Sequence, residues 1–221
     1  VYYGIDFAKV RPRRGRAEVL AELGIAADAP VAAFVGRLVE WKGPDHFLRA
    51  AARVAEEVPE ARFLLVGDAM FGEQAFEDML HDLARELGLA ERAVFTGFRS
   101  DVPDLMAAAD VVVHASVLPD PLPNVIIEAM ALGRPVVAAD GGGVPVMVED
   151  GVTGIIVPPR DHGAMAGAIS RLLRDRGEAE AMGAAGVERA RRLFDKDENA
   201  RILEDELLRA LGSRRERTAG T

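Results

Sequence analysis

Six short runs rich in Val and Ala, each followed by a longer segment of helical period, recur between residues 31 and 175. This alternation constrains the chain more than any other feature. The runs are 31–36 (VAAFVG), 62–67 (RFLLVG), 93–97 (AVFTG), 110–114 (DVVVH), 135–139 (PVVAA) and 154–157 (GIIV). They are continuously apolar and do not alternate with polar residues, as strands buried on both faces of a parallel sheet require. The intervening helices are predicted at 44–57, 74–87, 102–109, 124–132 and 162–174, with Gly or Pro at most ends. Asp161 is a good N-cap for the helix carrying Met165, Ile169 and Leu172. Two further helical segments, 178–194 and 198–211, follow with no strand between them, and the last residues (SRRERTAGT) read as frayed. The expected fold is therefore α/β: a doubly wound, mostly parallel six-stranded sheet with helices on both faces.

The chain divides into a connector at 1–12, one ligand-binding unit at 13–195, and a helix with tail at 196–221. At 221 residues it is long enough to bury a substantial core. A net charge of −9 argues against broad binding to nucleic acid, so any anionic ligand needs a focused pocket. Without cysteine there is no disulfide, thiolate metal site or Cys nucleophile. The four histidines, His46, His81, His114 and His162, are too scattered to suggest a metal cluster. No apolar run approaches the roughly 20 residues that span a bilayer, and the first residues lack a signal-peptide layout, so a soluble, cytoplasmic protein is expected.

In an open parallel sheet, ligands gather at the carboxyl ends of the strands where strand order reverses. The informative loops are 36–43 (GRLVEWKG) and 114–124 (HASVLPDPLPN), after the first and fourth runs. Arg37 and Lys42 offer a guanidinium fork and a point charge for a diphosphate. Taken alone, they read equally as surface cations, but Gly36 and Gly43 on either side favour close approach of a phosphate. Pro123 suits a first helical position, leaving the N–H groups of Asn124 and Val125 facing the crevice. Glu128 lies one turn on in a helix that is apolar nearly all round, where an unpaired carboxylate is costly. It should find hydrogen-bond donors, and ribose hydroxyls would serve. Asp120 reads either as a second carboxylate flanking the ligand or as a turn residue. Gly141, Gly142 and Gly143, after the fifth run, form either an anion nest or a flexible turn.

Together these segments resemble the nucleotide-sugar-binding half of the GT-B glycosyltransferases, specifically the retaining family 4, also called group 1. The likeness runs from YYGIDFAKVRP, with Tyr3 in a hinge position usually held by Asn, through GRLVEWKG, LLVGDA, VFTGFRSDVPDLMAAADVVVHAS, DPLPNVIIEAMALGRPVVAAD and GGGVPVMVEDGVTGIIVPP. It implies a Rossmann-like domain that binds a nucleoside diphosphate sugar. Arg37 and Lys42 match the cations that hold the diphosphate. Glu128 matches the carboxylate on the ribose, and Asp120 the acid near the reacting carbon, where relatives usually carry Glu. Gly97, Phe98 and Arg99 match the place where the base is held, largely through backbone groups. Asp120, Arg37 and Lys42 would be the catalytic set. Gly36, Leu122, Asn124, Val125, Gly142 and Gly143 would complete the donor site.

Two departures stand out. Leu122 and Pro123 replace the usual Phe-Gly and remove a backbone donor, and Val146 stands where many relatives have Glu. By analogy no metal or other cofactor is required, and the one D-x-D triplet, Asp195 to Asp197, reads as a helix cap. The family's acceptor domain precedes the donor domain, so this chain alone is expected to bind a donor and transfer little. The full-length enzyme has room for a peripheral role at a membrane. The rival readings are a sugar-nucleotide epimerase of the same architecture and a non-catalytic nucleotide-sugar-binding module. A dinucleotide oxidoreductase fits least, because G-x-G-x-x-G is absent after the first run.

Overall fold

In the computed structural model, residues 2, 4–69, 72 and 74–219 are described, with side chains through residue 211. Tyr3, the hinge residue of the resemblance, lies outside the described residues.

Six strands form one sheet: β1 (Val31–Val35), β2 (Arg62–Val66), β3 (Ala93–Phe95), β4 (Val111–His114), β5 (Val136–Ala139) and β6 (Gly154–Val157). Their order is β3-β2-β1-β4-β5-β6 and every pairing is parallel. Between and after them run α1 (Arg16–Glu22), α2 (Pro44–Glu57), α3 (Gln74–Glu86), α4 (Val102–Ala108), α5 (Asn124–Ala131), α6 (Val144–Met147), α7 (His162–Arg174), α8 (Arg176–Phe194) and α9 (Lys196–Ala219).

The strands read as unbroken apolar runs because successive side chains go to different buried faces. Phe34 of β1, Phe63 of β2, Val113 of β4 and Val137 of β5 pack on one side against α2, α3 and α7. Phe47 of α2 is fully buried there and meets Phe63 edge-on, with ring centroids 6.3 Å apart. On the other side, Val112, Val136 and Ala138 pack with α5 and α8, while Ala33 and Leu64 pack with α1 and α4. Each fully buried Phe, Leu or Val contributes about 1.5–3 kcal/mol.

All six expected strands form, within a residue or two of their expected limits. Two helices were not expected. The buried apolar residues of α1, Val19 and Leu20, are adjacent and show no period. The other, α6, is a single turn of four residues. Pro123 is the N-cap of α5, not its first helical residue. The backbone of α9 stays helical to Ala219, where fraying was expected from residue 213.

The entering segment pairs with the α8–α9 junction. Ile5 N donates to Phe194 O at 2.8 Å, Ile5 bridges Asp195, and Lys196 Nζ contacts Asp6 Oδ2 at 2.7 Å. The apolar residues of α9, Ile202, Leu203, Leu207, Leu208 and Leu211, lie exposed.

Candidate functional site

Strand order reverses between β1 and β4, which are neighbours, so the loops leaving their carboxyl ends emerge side by side. After β1, Gly36 N donates to Val66 O and Leu38 N to Asp68 O, both at 2.9 Å, which turns Arg37 outward. Arg37 is exposed and makes no side-chain hydrogen bond or ion pair among the described residues. The chain then forms a 3₁₀ turn, Glu40–Lys42, and enters α2 through Gly43, whose φ of 71° suits glycine. Val117 N, beyond β4, donates to Trp41 O at 2.9 Å, so the two loops are hydrogen-bonded to each other.

Across this seam Lys42 Nζ stands 2.6 Å from Asp120 Oδ2 and 4.3 Å from the centroid of the Trp41 ring. The two groups read from the sequence as ligand-binding are thus paired with each other. Asp120 is buried, and His114 Nε2, at the end of β4, lies 3.5 Å from the same oxygen. That is ion-pair range but poor hydrogen-bond geometry, and both ring nitrogens of His114 are left without a hydrogen-bond partner among the described residues. The Asp120 carboxyl is held at about 2, below its ordinary range. His114 is the foremost cause, burial opposes it, and Lys42 adds to it.

The third loop closes on the second. Gly143 N donates to Asp120 O at 2.8 Å. A Cβ on Gly142, whose φ is 56°, would overlap the carbonyl oxygen of Asp120, and one on Gly143 would overlap that of Pro121. Gly142 and Gly143 therefore serve a close backbone approach between the loops after β4 and β5, and the flexible-turn reading does not describe them. Val146 of α6 is 40% exposed.

At the start of α5, the N–H groups of Asn124 and Val125 find no acceptor among the described residues, and the Asn124 side chain is exposed beside the half-buried Leu122. Glu128, half-buried one turn further on, accepts no hydrogen bond among the described residues, so the donors it should have are not supplied by the chain. Burial raises its carboxyl above the usual range.

Gly97, with φ of 64°, lies beside the β2 loop, where its carbonyl accepts from Gly67 N at 3.1 Å. Phe98 is 74% exposed. The Arg99 guanidinium is engaged elsewhere. It forms a fork on Asp101 at 2.7 and 2.8 Å and reaches Glu22 at 2.8 Å, which leaves only its backbone for a ligand.

His114 and Ser116 were missed from the sequence. Both are buried, and Ser116 Oγ is also without a partner. The available signal was a histidine ending a run of three valines. Two of the four histidines meet in the fold, because α2 packs on α7 and brings His46 Nδ1 to 2.5 Å from His162 Nε2. Burial and then His46 push the His162 imidazole down. The described residues contain no group of three or more His, Asp or Glu that could hold a metal. In the D-x-D triplet, Asp195 Oδ1 accepts from Asp197 N and Glu198 N at 2.9 and 3.0 Å, as a helix cap does. A cavity of about 320 Å³ opens beside Asp28, Pro30, Arg134 and Pro135, at the opposite end of the strands, and Arg16 and Asp110 in its wall are already paired at 2.9 Å. No helix among the described residues is long and apolar enough to cross a membrane.

Known proteins share both sequence and architecture. The family model for glycosyl transferases group 1 matches residues 15–189. The chain is 42% identical over 176 residues to D-inositol 3-phosphate glycosyltransferase of Mycobacterium tuberculosis, a match covering 79% of this chain and 35% of that protein. The crystal structure of Anabaena HepE in complex with UDP-glucose matches with a TM-score of 0.84 at 35% identity, covering 93% of this chain and 57% of that one. Sucrose-phosphate synthase from Thermosynechococcus elongatus matches with a TM-score of 0.82 at 32% identity, covering 96% and 52%. The chain thus spans about a third of the length of the curated relatives it matches. With the family match over most of its length, this chain belongs to the group 1 glycosyl transferases.

Proposed function

We propose that this chain is the donor-binding part of a retaining glycosyltransferase, which moves a sugar from a nucleoside diphosphate sugar to an acceptor hydroxyl. The observation that carries the reading is the convergence of three loops around the Lys42–Asp120 pair, with the side chains of Arg37, on the loop after β1, and Glu128, on α5, unpartnered among the described residues.

Transfer demands that the departing diphosphate and an oxocarbenium-like carbon both be stabilised. Arg37, Lys42 and the free N–H groups of Asn124 and Val125 meet the first demand with fixed positive charge and no metal. Asp120 faces the sugar near the reacting carbon. Glu128 takes the ribose hydroxyls, which replace the donors it lacks in the free chain. The backbone of Gly97, Phe98 and Arg99 borders the base, Gly36 lets the ligand come close, and Gly142 and Gly143 hold the loop after β5 against Asp120 and Pro121, with Leu122 on the rim. The acceptor is held by a part of the longer protein, so the chain alone binds donor and transfers little. The reading places the enzyme in the cytoplasm, with a peripheral membrane role left to its acceptor. HepE holds UDP-glucose, which makes uridine donors the first to try.

The test is calorimetry with UDP, GDP and ADP and their glucose conjugates, on wild type, Arg37→Ala and Glu128→Ala. At least one nucleotide is expected to bind the wild type, with a loss of about tenfold or more in each variant. Unchanged affinity in both variants would overturn the assignment. Val146 and Pro123 keep one rival open, a non-catalytic binding module. It predicts the same calorimetry but no release of nucleoside diphosphate by the longer protein with any acceptor.

A further inference from the structure

Two partners compete for Lys42. In the free chain its ammonium contacts Asp120 Oδ2 at 2.6 Å, whereas donor binding gives that ammonium to a diphosphate. The side chain of Asp120 is only 9% exposed, and a carboxylate so shielded from water is strongly unfavourable once its counter-charge leaves. A diphosphate carries more negative charge than a carboxylate, so the single point charge of the ammonium is drawn toward it and its 2.6 Å contact with Asp120 loosens. Another group must then receive Asp120.

His114 is placed to do so. It is 3% exposed, its Nε2 stands 3.5 Å from the same Oδ2, and neither ring nitrogen has a hydrogen-bond partner among the described residues. An orphaned buried imidazole is unfavourable by itself and calls for an explanation. A shift of a few tenths of an ångström brings Oδ2 within hydrogen-bonding distance of Nε2. The other oxygen, Oδ1, accepts no hydrogen bond from the chain among the described residues and is the edge left for a ligand.

We propose that His114 is a positioning residue: its Nε2–H captures Asp120 Oδ2 as Lys42 turns to the diphosphate, keeping Asp120 anionic with Oδ1 presented to the ligand. The inference rests on the donor-binding reading above. The hand-over moves one hydrogen bond and no proton.

A double-mutant cycle separates this role from mere packing. The probes are UDP, GDP and ADP, titrated into wild type, His114→Leu, His114→Gln, Asp120→Asn and the His114→Leu/Asp120→Asn pair, with folding checked by Tm. His114→Leu is expected to weaken the nucleotide that wild type binds by about tenfold, and His114→Gln, which keeps a donor near the Nε2 position, by less than about twofold. In the Asp120→Asn background, where no charge has to be recaptured, His114→Leu is expected to cost less than about twofold. Should His114→Leu fail to fold, His114→Asn takes its place, because its amide ends short of Asp120. Equal losses in both backgrounds, or no loss in either, overturn the inference and leave the donor-binding reading intact. Failure of wild type to bind any of the three probes overturns that reading and the inference with it.

Discussion

The space that a Cβ on Gly43 would occupy is already filled by the carbonyl oxygen of Ala115, so the loops after β1 and β4 touch backbone to backbone. Gly43 also ends the 3₁₀ turn carrying Lys42, at a φ of 71° that disfavours other residues. Gly43→Ala should therefore destabilise the chain by about 2 kcal/mol or more, through both strain and overlap. Urea denaturation measures the loss. Nucleotide affinity should fall with it, because moving this backbone displaces Lys42 from Asp120.

Asp120 makes stability depend on acid. Its folded carboxyl titrates at about 2, below the ordinary 3.8. A depressed folded value means that its contribution is complete above roughly pH 5 and is lost as pH falls toward about 2, where the carboxylate takes up its proton. Asp120→Asn should therefore lower Tm at pH 7 and flatten the fall of Tm between pH 5 and pH 3, as followed by calorimetry in matched buffers.

Glu128 has the opposite sign. Burial raises its carboxyl with no partner among the described residues to offset the cost, so the folded chain holds that proton more tightly than the unfolded chain does. This group favours folding below its unfolded pKa and loses that advantage as pH rises through the raised folded value. Glu128→Gln is expected to leave the free chain equally or more stable at pH 7.5 while weakening nucleotide binding about tenfold or more. Thermal melts at pH 4.5 and 7.5, with and without nucleotide, check both halves.

Asp195→Ala removes a cap that accepts two backbone N–H groups at the start of α9. A loss of about 1 kcal/mol is expected. Nucleotide affinity, with or without added magnesium, should stay as in wild type. A magnesium-dependent change in affinity would return the D-x-D triplet to consideration as a metal site.

The fold was legible in the sequence because its strands are buried on both faces: Val111, Val112 and Val113 face alternate sides and must all be apolar. The corners of the site were legible for a related reason. Gly43 and Pro123 are local backbone signals that mark where loops turn into helices. What could not be read is what distant segments do to one another. Arg99 is held by Glu22, 77 residues away, and His46 meets His162 at a separation of 116. Lys42 and Asp120 were each identifiable as polar groups on neighbouring corners, but their mutual pairing depends on a contact between loops 78 residues apart. The short helices α1 and α6 lacked enough apolar positions to show a period.

The bridge between Ile5 and Asp195 ties the segment before α1 to the α8–α9 junction at a single anchored point. Strain applied at α9 therefore reaches Asp6 through Lys196 without passing through the sheet.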